Sequence, residues 1–463
     1  MALKPWITML SAMLALSLAA GIALQSEPAE GGVAGTDGSD SADEVARQMQ
    51  RIEGPQVPDR QGLDGLTLQE VMKQFHTPGL SIAVIRDFKT QWAKGYGVAD
   101  VKTGRPVEVN TLFQAASISK PVTAMAALRL VQEGRFSLDD DVNTLLTTWH
   151  VPESEFRREQ AVTPRSVFSH TSGADDGFGF PGYAPGASLP TPAQILNGQP
   201  PSNVKAVLFA RPPYRACKYS GGGVLIMQVA LTDLMGEAFD RFMENTVLKP
   251  LGMSESTYRQ PLPESLAQRA AHAHDGDGHA LDAPWHVYPE QAAAGLWTTP
   301  TDLARFAIEV QRAIHGPAGT ALKEATAREM IAPAGTGPFA VGFEISKNGE
   351  GWYFSHSGGN WGFRCHLLAH VRKGYGVVIM TNGDLGGRVI EEVEARIAAA
   401  YNWDSLDKPV FRGESGAVIE TGKDCALRPF WGGASSGSAA VQWSGLASMD
   451  ALSALVTSPA ISS

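Results

Sequence analysis

Apolar residues recur at short period in two stretches near the front of the chain, Leu80–Val84 and Gln91–Val98, with Arg86-Asp87-Phe88-Lys89 between them. That pattern predicts a pair of strands joined by a polar connection. The period then lengthens. Val122, Met125, Ala126 and Leu130 fall at helical spacing and form one apolar stripe, which predicts a helix over 120–133. Pro121 suits its first turn, where a missing N–H costs no hydrogen bond, and Gly134 supplies the stop. From Asp139 to Pro284, helical patterns alternate with long loops rich in Pro and Gly, most of all between Tyr183 and Pro213. Strand patterns return in Trp352–Ser355, Phe363–His370 and Tyr375–Met380, and Glu391–Tyr401 reads as a closing helix. Strands at both ends with helices between them predict an α+β fold. Its antiparallel sheet is built from both chain ends and flanked by helices, with a mainly helical subdomain.

The two ends of the chain read differently. Lys4 precedes an apolar run from Trp6 to about Leu24, with the small residues Ala19, Ala20 and Ala23 near its end. Residues 1–24 are therefore expected to be a signal peptide, with an uncleaved membrane anchor as the competing reading. Either way the expected location is secreted or periplasmic. Residues 25–62 are rich in Gly, Glu, Asp, Ser and Pro and read as a flexible linker. The folded domain is expected over 63–404, and 405–463 as a weakly ordered C-terminal extension.

Composition narrows the function. A chain of 463 residues with a 43% apolar share can bury a sizeable core. The formal charge of −10, with Lys and Arg scattered, argues against a nucleic-acid partner. Cys217, Cys365 and Cys425 make an odd count. They allow at most one bridge, and buried or free thiols are the expected state. No CxxC pair offers a thiolate metal site.

The candidate chemistry starts at Ser117-Ile118-Ser119-Lys120. Helical residues three apart share a face, so the Ser117 hydroxyl and the Lys120 amine can meet. A serine hydroxyl needs a neighbouring base, and a lysine becomes one when burial or nearby positive charge lowers its pKa. A helix N-terminus also aims free N–H groups at a developing oxyanion. Alone, a four-residue pattern of this kind is common by chance. Tyr219-Ser220-Gly221 and His356-Ser357-Gly358-Gly359 lie downstream of it.

In that order the three motifs resemble those of the serine β-lactamase and penicillin-binding DD-peptidase superfamily. Connecting stretches match as well: Phe113–Lys120, Val162–Arg165 with Ser169–Gly173, Lys249–Met253, and Gly295–Trp297 with Thr301–Ala304. The likeness covers roughly Leu66 to Tyr401 and is nearest to the class C β-lactamase, DD-carboxypeptidase and esterase branch. It implies that Ser117 is acylated with Lys120 as its hydrogen-bonded partner. It makes Tyr219 a general base, held phenolate-like by neighbouring cations, and gives His356 the place of the lysine in a K-T-G motif. There His356 would polarise Tyr219 or contact a substrate carboxylate. The N–H groups of Ser117 and Gly359 would form the oxyanion hole, with Ser357, Gly358 and Gly221 lining the substrate site. Two positions depart from the pattern. Gly221 stands where the family usually carries Asn, whose amide contacts the acylamide of β-lactams and peptides. His356 stands for Lys.

The resulting expectation is a serine hydrolase of esters or amides, an esterase or D-Ala-D-Ala carboxypeptidase-like peptidase with at most weak β-lactamase activity. A true class C-type β-lactamase and a non-catalytic peptidoglycan- or partner-binding module are the alternatives. The partner is a small-molecule or peptide substrate, no cofactor is called for, and the oligomeric state is open. Other signals are set aside. Residues 177–182 match G-x-G-x-x-G but follow no strand. His272, His274, Asp275, Asp277 and His279 could suggest a metal, yet Asp275-Gly276-Asp277-Gly278 reads better as a turn. No G-x-S-x-G elbow occurs.

Overall fold

Seven strands from the two ends of the chain form the main sheet: β1 (Gly79–Arg86), β2 (Lys89–Asp100), β3 (Arg105–Pro106), β4 (Glu344–Asn348), β5 (Gly351–Asn360), β6 (Phe363–His370) and β7 (Gly376–Thr381). Their order is β3-β2-β1-β7-β6-β5-β4. The computed structural model describes residues 38–56, 63, 65–176, 179–316, 319–348 and 351–403. The expected signal or anchor, the C-terminal extension, Cys425, part of the linker and the first two residues of the G-x-G-x-x-G match lie outside them.

The join between the two ends is the antiparallel pairing of β1 with β7, from Leu80 opposite Thr381 to Ile85 opposite Gly376. Both strands are β-branched and apolar, and both faces are buried. Ala83, Ile85, Val378 and Met380 face the larger core, which also holds the helices Ser119–Gln132, Gly221–Met235 and Pro300–Ile314. Leu80, Ile82, Val84, Val377 and Ile379 face a second core, covered by the helices Leu68–Gln74 and Gly386–Ala400. The alternation of side chains along a strand thus feeds two helical layers. The α+β class and the two-ended sheet are as expected. Strand β4 carries no clear alternation and was not legible.

Two local expectations change. The Ser119–Gln132 helix is buried from Ser119 through Leu128, not along one stripe. It can be, because its polar residues have partners inside: Ser119 Oγ donates to Ala116 O at 2.6 Å and Thr123 Oγ1 to Ala292 O at 3.2 Å. Cys365 is a buried free thiol as expected, but Cys217 is disulfide-bonded, correcting the expectation for that residue. Among the described residues no single helix is long and apolar enough to cross a membrane.

Within the stretch expected to be a flexible linker, Val45–Glu53 belongs to a helix and is fastened to the domain. Ile52 is fully buried, and Glu53 accepts from Lys94 Nζ at 2.6 Å and from Tyr96 OH at 2.9 Å. The fully buried Arg396 binds Glu392 at 2.7 Å and donates to the carbonyls of Ile52, Gly54, Leu63 and Leu66 at 2.9–3.3 Å. Composition suggested a loose segment; buried hydrogen-bond partners make an ordered one. Removing that guanidinium strands a carboxylate and four carbonyls, so Arg396→Ala should lower unfolding stability by about 3–5 kcal/mol. Chemical denaturation checks this, and a loss under about 1 kcal/mol would show the clamp to be dispensable.

Candidate active site

Ser117 lies in a 3-10 turn, Ala116–Ile118, that leads into the Ser119–Gln132 helix. In such a turn residues three apart eclipse one another, which serves the S-x-x-K spacing even better than an α-helix. Ala116, just before the nucleophile, has φ of +47°, a left-handed conformation that strains a residue with a Cβ. Cys365 Sγ donates to Ala115 O at 3.0 Å, and Ala115 N donates to Leu296 O at 2.8 Å, which holds the turn in place.

Lys120 Nζ donates to Ser117 Oγ at 2.9 Å and to Ala293 O at 3.0 Å. The side chain is almost wholly buried, and loss of water lowers its pKa to about 7, with Asp176 opposing. The amine is therefore close to balance between its two protonation states near neutral pH. Tyr219 OH hydrogen-bonds the Ser117 side chain, and Lys120 Nζ sits 4.9 Å from the centre of the Tyr219 ring.

The Tyr219 phenol departs from the resemblance. Burial, followed by the nearby carboxylates of Glu344 and Asp176, pushes its pKa up. Its resting form here is the neutral phenol, not the phenolate implied above. His170 packs under the ring with centroids 4.2 Å apart, and Phe339 lies 5.8 Å from it. His170 is neutral as well, with burial the main cause, and its Nδ1 accepts from Ser220 N at 3.2 Å.

His356 faces the same group, its ring centre 6.2 Å from that of Tyr219. Its Nδ1 lies 2.6 Å from the Ser357 carbonyl, to which it donates, so the lone pair is on Nε2. Nε2 is buried and has no protein partner. Burial and the Lys120 charge lower the pKa to about 3, so His356 carries no positive charge at neutral pH. It is not an electrostatic equivalent of lysine.

Strand β4 pairs with β5 only as far as Ser355, so beyond it this edge of β5 carries no strand. That stretch holds Ser357, Gly358 and Gly359 beside the nucleophile turn. A Cβ on Gly358 would lie 2.3 Å from Ala115 O and 2.4 Å from Cys365 Sγ, so only glycine permits the approach. Asn360 Nδ2 ties the end of β5 to Gln114 Oε1 at 2.8 Å and to Ala294 O at 3.1 Å, next to the carbonyl that cradles Lys120.

The structure thus gathers Ser117, Lys120, Tyr219 and His356 in one cleft, with Gly358 at its wall. Gly221 opens the Gly221–Met235 helix, whose start is capped by Ser220 Oγ accepting from Gly223 N at 2.7 Å. Sequence reasoning missed His170, Phe339 and Asp176. Asp176 accepts from Gly222 N at 2.6 Å and from Ser220 Oγ, and its charge acts on Lys120. A lone Asp after a Ser-rich stretch carries no periodic signal; only its position between two motifs, seen in three dimensions, reveals it. At the set-aside metal cluster, Asp275, Asp277 and His279 approach one another. Asp275 Oδ1 is engaged by the N–H groups of Asp277 and His279, and Gly278 N closes the turn on Asp275 O at 3.1 Å.

A sheet between helical layers, with a Ser-Lys pair at the start of a buried helix, defines a serine-hydrolase architecture. The model of the Beta-lactamase family matches residues 66–401, and the chain belongs to that family, whose members are serine hydrolases. Protein flp of Staphylococcus aureus is 23% identical over an alignment of 332 residues that covers 68% of this chain and 61% of the relative. The unguisins hydrolase ungD of Aspergillus violaceofuscus is 25% identical over an alignment of 357 residues that covers 68% of this chain and 59% of that protein. The chain therefore spans about three fifths of the curated relatives it matches. The D-alanine carboxypeptidase AmpC of Burkholderia cenocepacia shares the fold with a TM-score of 0.58 at 20% identity, covering 79% of this chain and all of that one.

Because Gly358 has no room for a methyl group, Gly358→Ala should destabilise the protein by about 1–3 kcal/mol. It should also reduce covalent labelling of Ser117 by displacing the nucleophile turn. Thermal melting and labelling with a fluorophosphonate check the pair; wild-type values for both would contradict the close approach.

Proposed function

We propose that this chain hydrolyses an uncharged ester or amide through an acyl-enzyme on Ser117. The observation that carries the reading is the 2.9 Å contact between Ser117 Oγ and a buried Lys120 whose pKa lies near 7. Neutral Lys120 accepts the Ser117 proton as Oγ attacks the carbonyl carbon. The carbonyl oxygen takes up the negative charge, which the N–H groups of Ser117 and Gly359 stabilise. When the tetrahedral adduct collapses, the bond to the leaving group breaks. The proton passes from Lys120 through the Tyr219 hydroxyl to the leaving atom. Water then attacks the acyl carbon and gives up its proton to Lys120 by the same route in reverse; the bond from that carbon to Oγ breaks, the carboxylic acid leaves, and Lys120 returns the proton to Ser117 Oγ.

The neutral His356 supports this substrate choice. A group without positive charge offers no ionic attraction for a terminal carboxylate, so a D-Ala-D-Ala peptide gains less here than a neutral ester. Nε2 is instead placed to accept a hydrogen bond from the Tyr219 hydroxyl or from substrate. One relative is an unguisins hydrolase and one structural neighbour a D-alanine carboxypeptidase, so amides remain within the class.

Ser117→Ala should abolish fluorophosphonate labelling and hydrolysis of p-nitrophenyl butyrate. Lys120→Met should slow acylation by about 100- to 10,000-fold. Only the deprotonated amine has a lone pair to receive the proton. The acylation rate in single-turnover assays should therefore rise as pH passes through about 7 and level off above it. A flat profile between pH 6 and 8 would remove Lys120 from the role of base.

A further inference from the structure

The start of the Gly221–Met235 helix contains three successive glycines, and two of them answer to one short stretch of chain. A Cβ on Gly222 would lie 2.7 Å from Asp176 Oδ2 and 2.3 Å from Val207 Cγ2. A Cβ on Gly221 would lie 2.7 Å from Phe180 Cε2 and 3.2 Å from Cζ. The space where a side chain at 221 would begin is therefore filled by an aromatic ring.

The direction of that space matters. Ser220, between Tyr219 and Gly221, is extended, with φ of −139° and ψ of 115°. In extended backbone alternate side chains point to the same side. Tyr219 points toward Ser117, so position 221 points into the same cleft while Ser220 turns away to Asp176. The Phe180 ring occupies the space into which a side chain at 221, two residues after Tyr219, would extend. It is half-buried against the core, so part of its face stays open.

The ring is also firmly held. His286 Nδ1 donates to Pro181 O at 2.8 Å, and the His286 ring stacks on Trp361 with centroids 3.9 Å apart and planes within 10°. Tyr183 exchanges both backbone hydrogen bonds with Val287, at 2.9 and 2.7 Å. These anchors lie one and three residues after Phe180 and fix the backbone that carries the ring.

We infer that Phe180 is the specificity-determining residue of the acyl subsite, selecting substrates whose acyl α-carbon bears an alkyl or aryl group rather than an acylamino group. The inference rests on the acyl-enzyme reading above. An aromatic face offers dispersion and edge contacts to an apolar acyl chain. An acylamino group there would leave its N–H and C=O facing a ring, with their water removed and nothing in return.

The test compares kcat/KM for p-nitrophenyl acetate, phenylacetate and N-benzoylglycinate, with fluorophosphonate labelling of Ser117 alongside. Wild type should favour phenylacetate over N-benzoylglycinate. Phe180→Ala should lower the phenylacetate-to-acetate ratio by about 10-fold, and Phe180→Leu by less. The Leu variant carries the test should the Ala variant fail to fold. Gly221→Asn should melt at lower temperature in the wild-type background and recover much of that loss when combined with Phe180→Ala, since ring and side chain compete for one space. An unchanged ratio in variants that still label at Ser117 would overturn the inference alone. So would an equal loss from Gly221→Asn in both backgrounds. Failure of wild type to label at Ser117 would bring down the acyl-enzyme reading itself, and the inference with it.

Discussion

The burial of Lys120 is the constraint on which the rest of the site depends. An ammonium group almost wholly removed from water is costly, and the protein responds by bringing its pKa to about 7. The same step that makes the charge expensive makes the amine useful as a base. Much of the surrounding structure serves to keep that amine dry while still giving it partners. The Ser119–Gln132 helix is enclosed within the larger core by its neighbouring helices, and the Ala293 carbonyl is held at 3.0 Å by a short helix tied to β5. Asp176 pulls the other way, favouring the charged form and keeping the pKa from falling further. Stability is given up at one atom so that reactivity is gained at the next.

Burial acts on the other titratable groups of the cleft in the same sense. Tyr219 is held as a phenol, and His170 and His356 as neutral imidazoles. Of these four groups Lys120 is the one poised near physiological pH. A cluster that on paper contains two histidines, a tyrosine and a lysine therefore offers one proton acceptor close to balance, with the others arranged as hydrogen-bonding surfaces around it. This is why the phenolate role implied by family likeness does not carry over: the cation that would hold Tyr219 ionised is itself half discharged by the same dry surroundings.

Much of this was legible in the sequence, and what was not has identifiable causes. The pairs of strands at the two ends and the Ser119–Gln132 helix announce themselves through spacing, because a strand or helix with a buried face must repeat. Ser117, Lys120, Tyr219 and His356 were found through motif order, a one-dimensional trace of a shared site. Asp176 and Phe339 have no such trace, and His170, though inside the matched Ser169–Gly173 stretch, is not marked there as a neighbour of Tyr219; they matter through contacts that close only when distant loops meet. The all-round burial of the central helix was hidden because its polar residues, Ser119 and Thr123, look like a solvent face until their internal carbonyl partners are known. The helical part of the expected linker was hidden for a similar reason. Polar composition signals exposure, whereas the Arg396 clamp lies more than 300 residues further along the chain.

The unpaired edge of β5 has a further consequence. Where β4 stops opposite Ser355, the next five residues keep β6 as a neighbour on one side and have no strand on the other. An open edge ordinarily invites another copy of the chain to add to the sheet. Here it is turned inward, beneath the Ala115–Ser117 turn, and a Gly-rich run gives it little side-chain relief. The glycine that lets the nucleophile turn approach thus also brings that turn against the stretch of β5 that β4 leaves unpaired.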